Sequence, residues 1–202
     1  HRQANAHQQI KEVEMRIIGG RHRGTKLADL VGDKTRPTAD RVRESLFNIL
    51  NGGRFGAPLD GGIVIDLFAG TGALGLEALS HGAAYASFVE SDARALGVLR
   101  ENISLLKRAD DAAIIGGNAI TMGNIRGDAA NLVFADAPYG TGDGLRAVAN
   151  LHSIGALAPK ALIVIETAKN EVLDSALLDQ HHLTILEQRK YGKAMLHFIA
   201  AK

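Results

Sequence analysis

Residues 63–75 read IVIDLFAGTGALG, a short apolar run that ends at an acid and passes into a glycine-rich turn. The run at 63–67 has the length and composition of a buried strand, and the small residues at 73–80 suit a helix. Glycines between a strand and a helix permit a tight turn and let a ligand approach the backbone near the positive end of the helix. The stretch therefore predicts a ligand site where the first strand of a sheet ends.

Along the rest of the chain, short apolar runs alternate with segments whose apolar residues have helical periodicity. We predict strands at 63–67, 85–90, 112–115, 132–135 and 161–165, and helices at 73–80, 92–107 and 145–151. Strands that are apolar throughout and alternate with helices indicate a parallel sheet covered on both faces. Two further runs, 183–190 and 194–200, are joined by only three residues and must be antiparallel. We expect an α/β, Rossmann-like, doubly wound sheet with a reversed C-terminal β-hairpin.

Composition excludes several classes of protein. The 202 residues suffice for one main domain, and 46% hydrophobic and 22% charged residues are close to globular averages. There is no cysteine, which excludes disulfides and thiolate metal sites, and the eight histidines form no metal-spaced pair. No apolar run reaches the roughly 18 residues of a membrane helix. We expect a cytoplasmic, monomeric protein without a metal or a membrane partner.

Charge is distributed unevenly along the chain. Residues 15–45 carry eight basic and four acidic side chains, whereas residues 61–202 carry 12 basic and 15 acidic ones. We expect residues 1–14 to be a tag or a disordered extension. Residues 15–60 are predicted to be an N-terminal RNA-contacting element with an amphipathic helix, and 61–202 the main domain. The basic excess suits phosphate contacts, although a solvated basic surface explains the charge equally well.

The glycine loop suits two kinds of nucleoside cofactor. Gly70, Gly72 and Gly75 satisfy the dinucleotide pattern G-x-G-x-x-G, and Glu90 ends the second predicted strand where an acid would bind ribose hydroxyls. A carboxylate at Asp66 would repel a pyrophosphate but attract the ammonium group of a methionine moiety. Asp66 thus favours S-adenosylmethionine over a nicotinamide dinucleotide.

A second polar segment, DAPY at 136–139, follows the fourth predicted strand at the same edge of the sheet. Transfer of a methyl group to an aromatic amine requires the nitrogen lone pair to be turned toward the donor. The Asp136 carboxylate and the backbone carbonyl of Ala137 can accept from the two N–H bonds and orient that lone pair. Tyr139 offers a ring for base stacking, and Pro138 fixes the local backbone. As an isolated tetrapeptide the segment would be an ordinary turn.

With these motifs, the chain resembles the RsmD family of bacterial 16S rRNA guanine-N2 methyltransferases, which are class I enzymes dependent on S-adenosylmethionine. The matching blocks are MRIIGGRHRG at 15–24, RPTADRVRESLFN at 36–48, DLFAGTG at 66–72, FVE at 88–90, DAPYG at 136–140 and RKYG at 189–192. The resemblance implies a seven-stranded sheet and transfer of a methyl group to a guanine N2 amine of 16S rRNA. A small-subunit particle is the implied substrate, rather than free RNA.

The resemblance and the motifs together select the candidate site residues. Asp136, Ala137, Pro138 and Tyr139 form the predicted catalytic segment. The predicted cofactor contacts are Asp66, Phe68, Ala69, Gly70, Thr71, Gly72, Glu90, Ser91, Asn118, Ala119 and Asp136. The predicted phosphate contacts with RNA are Arg21, Arg23, Arg36, Arg41 and Arg43.

Two positions depart from the family pattern. Ala137 stands where proline is usual, which keeps the carbonyl but predicts a less rigid loop, and Asn118 stands where aspartate is common, which predicts a weaker adenine contact. Adenine-N6 or protein glutamine methylation uses the same amine site and stays open. From other classes, a nicotinamide-dependent oxidoreductase or a catalytically silent RNA-binding module is the alternative.

Overall fold

The computed structural model describes residues 14–30 and 37–202. The predictions for residues 1–13 and for Arg36 lie outside the described residues. The helices are α1 Pro37–Asn51, α2 Ala73–Ser80, α3 Ala93–Leu105, α4 Asp143–Ser153 and α5 Ser175–Gln180. The strands are β1 Ile63–Leu67, β2 Tyr85–Glu90, β3 Ala112–Gly116, β4 Ala130–Asp136, β5 Leu157–Ala168, β6 Leu183–Tyr191 and β7 Ala194–Ala201.

The strands form a single seven-stranded sheet in the order β3-β2-β1-β4-β5-β7-β6. The first five strands are parallel, and β7 runs antiparallel to both β5 and β6. The strand order reverses between β1 and β4, which opens a crevice at their carboxyl ends. The predicted doubly wound α/β fold with a reversed C-terminal hairpin is confirmed.

Each face of the sheet has its own apolar core. On one face, Phe88, Phe134 and Phe198 pack with residues of α1, α2 and α3 and with the N-terminal segment. On the other face, Val133 and Ile163 pack with residues of α4 and α5. Because neighbouring residues of a strand point to opposite faces, both must be apolar, which explains why the strands lack polar alternation.

Residues 14–30 form a small hairpin against α2. An isolated antiparallel bridge joins Arg16 to Lys26, and the amide of Ile17 donates to the Thr25 carbonyl at 3.0 Å. The side chains of Ile17 and Leu27 are 1% and 3% exposed, so they belong to the core of the main domain. The N-terminal element is therefore held by the sheet's first face and shares its core.

The fully buried carboxylate of Glu77 on α2 fixes the hairpin in place. It accepts hydrogen bonds from the amides of Ile18 and Gly19, at 3.0 and 2.9 Å. One turn further along α2, the carbonyl of Ser80 accepts from Arg21 N at 2.7 Å. These contacts place the exposed turn of the hairpin beside the carboxyl-terminal end of α2.

Most element ends lie within two residues of the prediction, and two differences are larger. β5 begins at Leu157, not at residue 161, because a register irregularity between Ala130 and Leu132 lets the strand continue past the exposed Lys160. The short helix α5 was not predicted, and the side chain of Asp174 caps it by accepting from the amides of Ala176 and Leu177. Across the described ranges, no helix combines the length and apolar character that crossing a membrane requires.

Candidate functional site

A cleft of about 1330 Å³ opens at the carboxyl ends of β1, β2, β4 and β5. One wall is the glycine loop after β1, with Glu90 at the end of β2 and Ser91 directly after it. The opposite wall is the segment after β4, with Glu166 of β5 and the turn between β6 and β7. Single-ligand pockets usually measure 300–1,000 Å³, so this cleft has room for a cofactor and part of a second molecule.

The glycine loop has a conformation that its residue types permit. Gly70 and Gly72 adopt positive φ angles of 57° and 91°. A side chain at Gly72 would also place its Cβ 2.4 Å from Leu99 Cδ1, so the buried Leu99 side chain on α3 would have to move. Phe68 has a φ of 56° without being glycine, a strained conformation of the kind that clusters at ligand sites.

The amides of the three loop glycines point to acceptors within the protein. Gly70 N donates to Glu90 Oε1 at 2.8 Å, and Gly75 N donates to Asp66 Oδ2 at 2.9 Å. Gly72 N donates to the Ala69 carbonyl at 2.8 Å. These N–H groups are thus engaged and do not form the cradle of free amides that a pyrophosphate needs.

Two carboxylates stand behind the loop. Asp66 is 1% exposed, and desolvation raises its pKa to about 8 against the opposing effect of the Gly75 hydrogen bond. The charge of Glu90 raises the pKa of Asp66 further. Glu90 itself accepts from the amides of Ser91 and Asp92 at 2.8 and 2.9 Å. Glu90 therefore supplies the negative charge of this wall at neutral pH, which favours a cationic ligand.

A second pair of acids lies on the opposite wall. Asp136 and Glu166 are register partners on β4 and β5, and Tyr139 donates its hydroxyl to Glu166 Oε2 at 3.1 Å. Asp136 reaches the open cleft, yet desolvation by the cleft walls, followed by the charge of Glu166, raises its pKa well above the usual aspartate range. Desolvation and then Glu166 also raise the pKa of Tyr139. The hydroxyl of Tyr139 is therefore a protonated hydrogen-bond donor.

The loop after Asp136 is attached to the turn that follows β5. Glu171 Oε1 accepts from Gly140 N at 2.6 Å and from Ala168 N at 3.0 Å. Within the loop, Thr141 Oγ1 donates to the Pro138 carbonyl at 2.8 Å. A less rigid loop was expected from alanine at position 137. Glu171 thus attaches the loop to the turn after β5 and Thr141 braces it internally, so proline at 137 is not the sole means of ordering it.

Most of the predicted cofactor and amine-site residues meet in the cleft. Its lining includes Asp66, Phe68, Ala69, Gly70, Thr71, Glu90, Ser91, Asp136, Ala137, Pro138 and Tyr139. Gly72 lies beneath the loop at the start of α2. Asn118 and Ala119 do not line the cleft; Asn118 Oδ1 accepts from Ile120 N at 2.9 Å, and Ala119 is buried. Asn118 therefore forms the local turn, the role that asparagine commonly takes after a strand.

The predicted phosphate contacts fall into two groups. Arg21, Arg23 and Arg41 are exposed. Arg43 is 5% exposed, and its Nη2 donates to the Arg16 carbonyl at 2.8 Å, with Nε 4.0 Å from Glu77. Because its guanidinium is enclosed and paired inside the protein, we withdraw Arg43 from the phosphate contacts and assign it to the hairpin's attachment.

Sequence reasoning missed several residues that line the cleft. Glu166 was overlooked, although IVIE at 163–166 repeats the pattern of an apolar strand that ends in an acid, as in IVID and SFVE. Met15, Lys169 and Lys193 also line the cleft, and they come from distant parts of the chain with no local motif. Within residues 14–30 and 37–202, no cluster of three or more His, Asp or Glu side chains is arranged to hold a metal.

Comparison with known proteins gives one consistent family. Residues 15–200 match the family described as conserved hypothetical protein 95. Ribosomal RNA small subunit methyltransferase D of Escherichia coli K12 is 42% identical over 158 residues, 76% of this chain and 75% of that protein. Its namesake from Haemophilus influenzae is 34% identical over 182 residues, 89% of this chain and 90% of that protein.

A solved structure extends the similarity to the whole fold. The structure of yhhF from Escherichia coli, assigned as a methyltransferase, superposes with a TM-score of 0.76 at 34% sequence identity. The superposition covers 94% of this chain and 98% of that one. The likeness thus extends over nearly the whole of both chains.

Proposed function

Since the chain belongs to the RsmD family of ribosomal RNA small subunit methyltransferases, we propose that it methylates the exocyclic N2 amine of a guanine in 16S rRNA, with S-adenosylmethionine as methyl donor and a small-subunit particle as substrate. The observation that carries the proposal is the position of Asp136 and the Ala137 carbonyl in one cleft with a cofactor wall of carboxylates. That arrangement brings amine acceptors and a cationic methyl donor together.

Charge on the cofactor wall favours S-adenosylmethionine over a dinucleotide. S-adenosylmethionine supplies an electrophilic methyl group on a sulfonium centre and carries an ammonium group. Glu90 gives this wall negative charge, which attracts such a cation and repels a pyrophosphate. Asp66, whose pKa burial raises to about 8, is largely protonated at neutral pH, so Glu90 rather than Asp66 supplies that charge. Glu90 would hold the ribose hydroxyls of the cofactor, and Phe68 to Thr71 would hold its methionine part.

On the opposite wall, the chain's own residues orient the base. The Asp136 carboxylate and the Ala137 carbonyl accept from the amine, so that its lone pair faces the cofactor wall. The ring of Tyr139, 47% exposed and held by Glu166, is the stacking surface for a base turned out of its helix. After transfer, the methylated amine is acidic and releases its proton to Asp136 or to water.

Exposed cations border this site on two sides. Arg41 is on α1, whose neighbouring residues Asp40 and Val42 line the cleft, and Lys169 and Lys193 line the cleft themselves. Arg21 and Arg23 are farther away, beside the carboxyl-terminal end of α2, where they can contact phosphates more distant from the base. A base that enters the cleft brings its flanking phosphates with it, and cations at both sides neutralise them. We assign these five side chains to the RNA-contacting surface.

Nucleoside mass spectrometry of small-subunit rRNA tests the proposal. Subunits from a deletion strain should gain one N2-methylguanosine after incubation with the protein and labelled donor. Asp136→Ala should lower the rate at least about 100-fold, because two directed hydrogen bonds reduce to one, and calorimetry with S-adenosylhomocysteine should show unchanged affinity. Asp128→Ala, at an exposed aspartate outside the cleft, is the matched control. Product N6-methyladenosine, or full turnover by Asp136→Ala, would contradict the proposal.

A further inference from the structure

The chemistry of the cleft identifies a residue that selects the base. The side chain of Glu166 lines the cleft directly beside Asp136, because the two residues are register partners on parallel strands about 4.8 Å apart. Partners in such a pair point to the same face of the sheet. Two carboxylates therefore meet a base that enters over Tyr139, whereas the amine alone needs only Asp136 and the Ala137 carbonyl.

The carboxylate of Glu166 has hydrogen-bond acceptor sites that the protein does not use. Tyr139 donates its hydroxyl to Glu166 Oε2, which requires a lone pair on that oxygen. A carboxylate offers about four lone-pair sites, so one phenolic donor leaves room for a ligand N–H. Next to Asp136, a second acceptor repels a ligand atom that is itself an acceptor and favours a second donor.

We propose that Glu166 is the specificity-determining residue, which accepts the N1–H of guanine while Asp136 and the Ala137 carbonyl hold the N2 amine. The inference rests on the proposed function and deepens it. Guanine carries N1–H and the N2 amine side by side on its Watson–Crick edge, so adjacent donors meet adjacent carboxylates. Adenine has a lone pair at N1, which would face the Glu166 carboxylate without a proton between them.

The repulsion between the two acids supports this role. In the free protein, desolvation and then the charge of Glu166 raise the pKa of Asp136, and Tyr139 donates to Glu166 but not to Asp136. Among the described residues, no cation forms a hydrogen bond or ion pair with Glu166. A ligand edge with two donors relieves the repulsion, which makes guanine a complementary occupant.

The test replaces one donor on the base. After mass spectrometry has identified the methylated guanine, splinted ligation places 2-aminopurine there; this base keeps the 2-amino group but has an acceptor at N1. With reconstituted subunits, the wild-type kcat/KM should be at least about 30-fold higher for guanine than for 2-aminopurine. Glu166→Gln, whose amide can accept from N1–H or donate to N1, should bring this ratio to within about threefold of one.

Two further variants distinguish an effect on base selection from an effect on the ordering of the loop after Asp136. Tyr139→Phe removes the hydroxyl that donates a hydrogen bond to Glu166 but keeps the Glu166 carboxylate. This variant should therefore retain the wild-type ratio of kcat/KM for guanine to that for 2-aminopurine, even if its rate of methyl transfer falls. Glu101→Gln changes an exposed carboxylate on α3 and should retain both rate and ratio. A wild-type ratio in Glu166→Gln, or an equal loss of ratio in Tyr139→Phe, would overturn the assignment. Failure of wild-type protein to form N2-methylguanosine would instead refute the proposed function, and the inference with it.

Discussion

Asp136 and Glu166 occupy paired positions on β4 and β5, so two carboxylates share one edge of the cleft. Desolvation by the cleft walls raises the pKa of Asp136, and the like charge of Glu166 at this short distance raises it further. The amine acceptor of the proposed reaction is therefore a carboxyl group that holds its proton to a higher pH than an ordinary aspartate. Proton release from Asp136 becomes part of substrate binding.

This raised pKa predicts the acid side of the pH profile. Below it, Asp136 is protonated, presents a hydroxyl to the amine and loses acceptor capacity. With saturating cofactor, kcat/KM for subunits should rise with pH, along a limb that lies above the usual aspartate range. Glu166→Gln removes a nearby charge and should move the limb to lower pH, and Asp136→Asn should abolish it. A limb in the usual aspartate range for the wild-type protein would contradict the prediction.

Asp66 predicts a pH dependence of stability. Its pKa rises from 3.8 to about 8 on burial, so the folded state binds a proton that the unfolded state has released between those values. The free energy of unfolding should therefore fall as pH rises from about 4 to about 8 on account of this group. Asp66→Asn keeps an acceptor for Gly75 N but does not titrate. The Tm of the variant minus that of the wild type should increase by at least about 3 °C across this window.

The matched control for Asp66 is Asp60→Asn, at an exposed carboxylate six residues earlier. Its Tm difference from the wild type should stay constant across the same pH window. Differential scanning calorimetry at constant ionic strength measures both variants. An Asp66→Asn difference that is flat with pH would show that Asp66 is ionised in the folded protein.

The fold and the glycine loop were predictable because local pattern and tertiary role agree there. Apolar runs gave the strands of the parallel sheet, since both of its faces are covered and no polar alternation complicates the pattern. The segment at 136–139 was recognisable because amine orientation needs a particular acid, carbonyl and ring in sequence. The helices and strands of the sheet could therefore be assigned from the spacing of apolar residues alone.

The site and packing residues that the sequence did not reveal depend on contacts between distant parts of the chain. Glu166 belongs to the site because β5 pairs with β4, and sequence alone does not give that register. Asn102 on α3 is fully buried and donates to the carbonyls of both Ala28 and Thr71, at 3.0 and 2.9 Å, which links the hairpin to the glycine loop. Arg43 was expected at the surface because charge patterning does not reveal that Glu77 lies opposite it.

The arginines offer a test in the salt dependence of RNA binding. Each phosphate contact releases counterions, so loss of one lowers the slope of log K against log salt by about 0.7–0.9. Arg21→Ala, Arg23→Ala and Arg41→Ala should each reduce the slope by about that amount while the Tm stays close to the wild type. Arg43→Ala should lower the Tm because it leaves Glu77 without its buried cation. Filter binding to small subunits across a salt series measures the slopes, and an unchanged slope in all three exposed variants would contradict the assignment.

Two glycines of the hairpin test how it is held on α2. Gly20 and Gly24 both have positive φ, 75° and 83°, so alanine strains the backbone by a similar amount at each. At Gly20 the added Cβ would lie 2.1 Å from the Ser80 carbonyl oxygen, whereas nothing lies within 4 Å at Gly24. Gly20→Ala should therefore lower the free energy of unfolding by at least about 1–3 kcal/mol more than Gly24→Ala in urea denaturation. It should also weaken RNA binding, because Arg21 and Arg23 move with the hairpin; equal stability of the two variants would mean that the hairpin does not pack on α2 in solution.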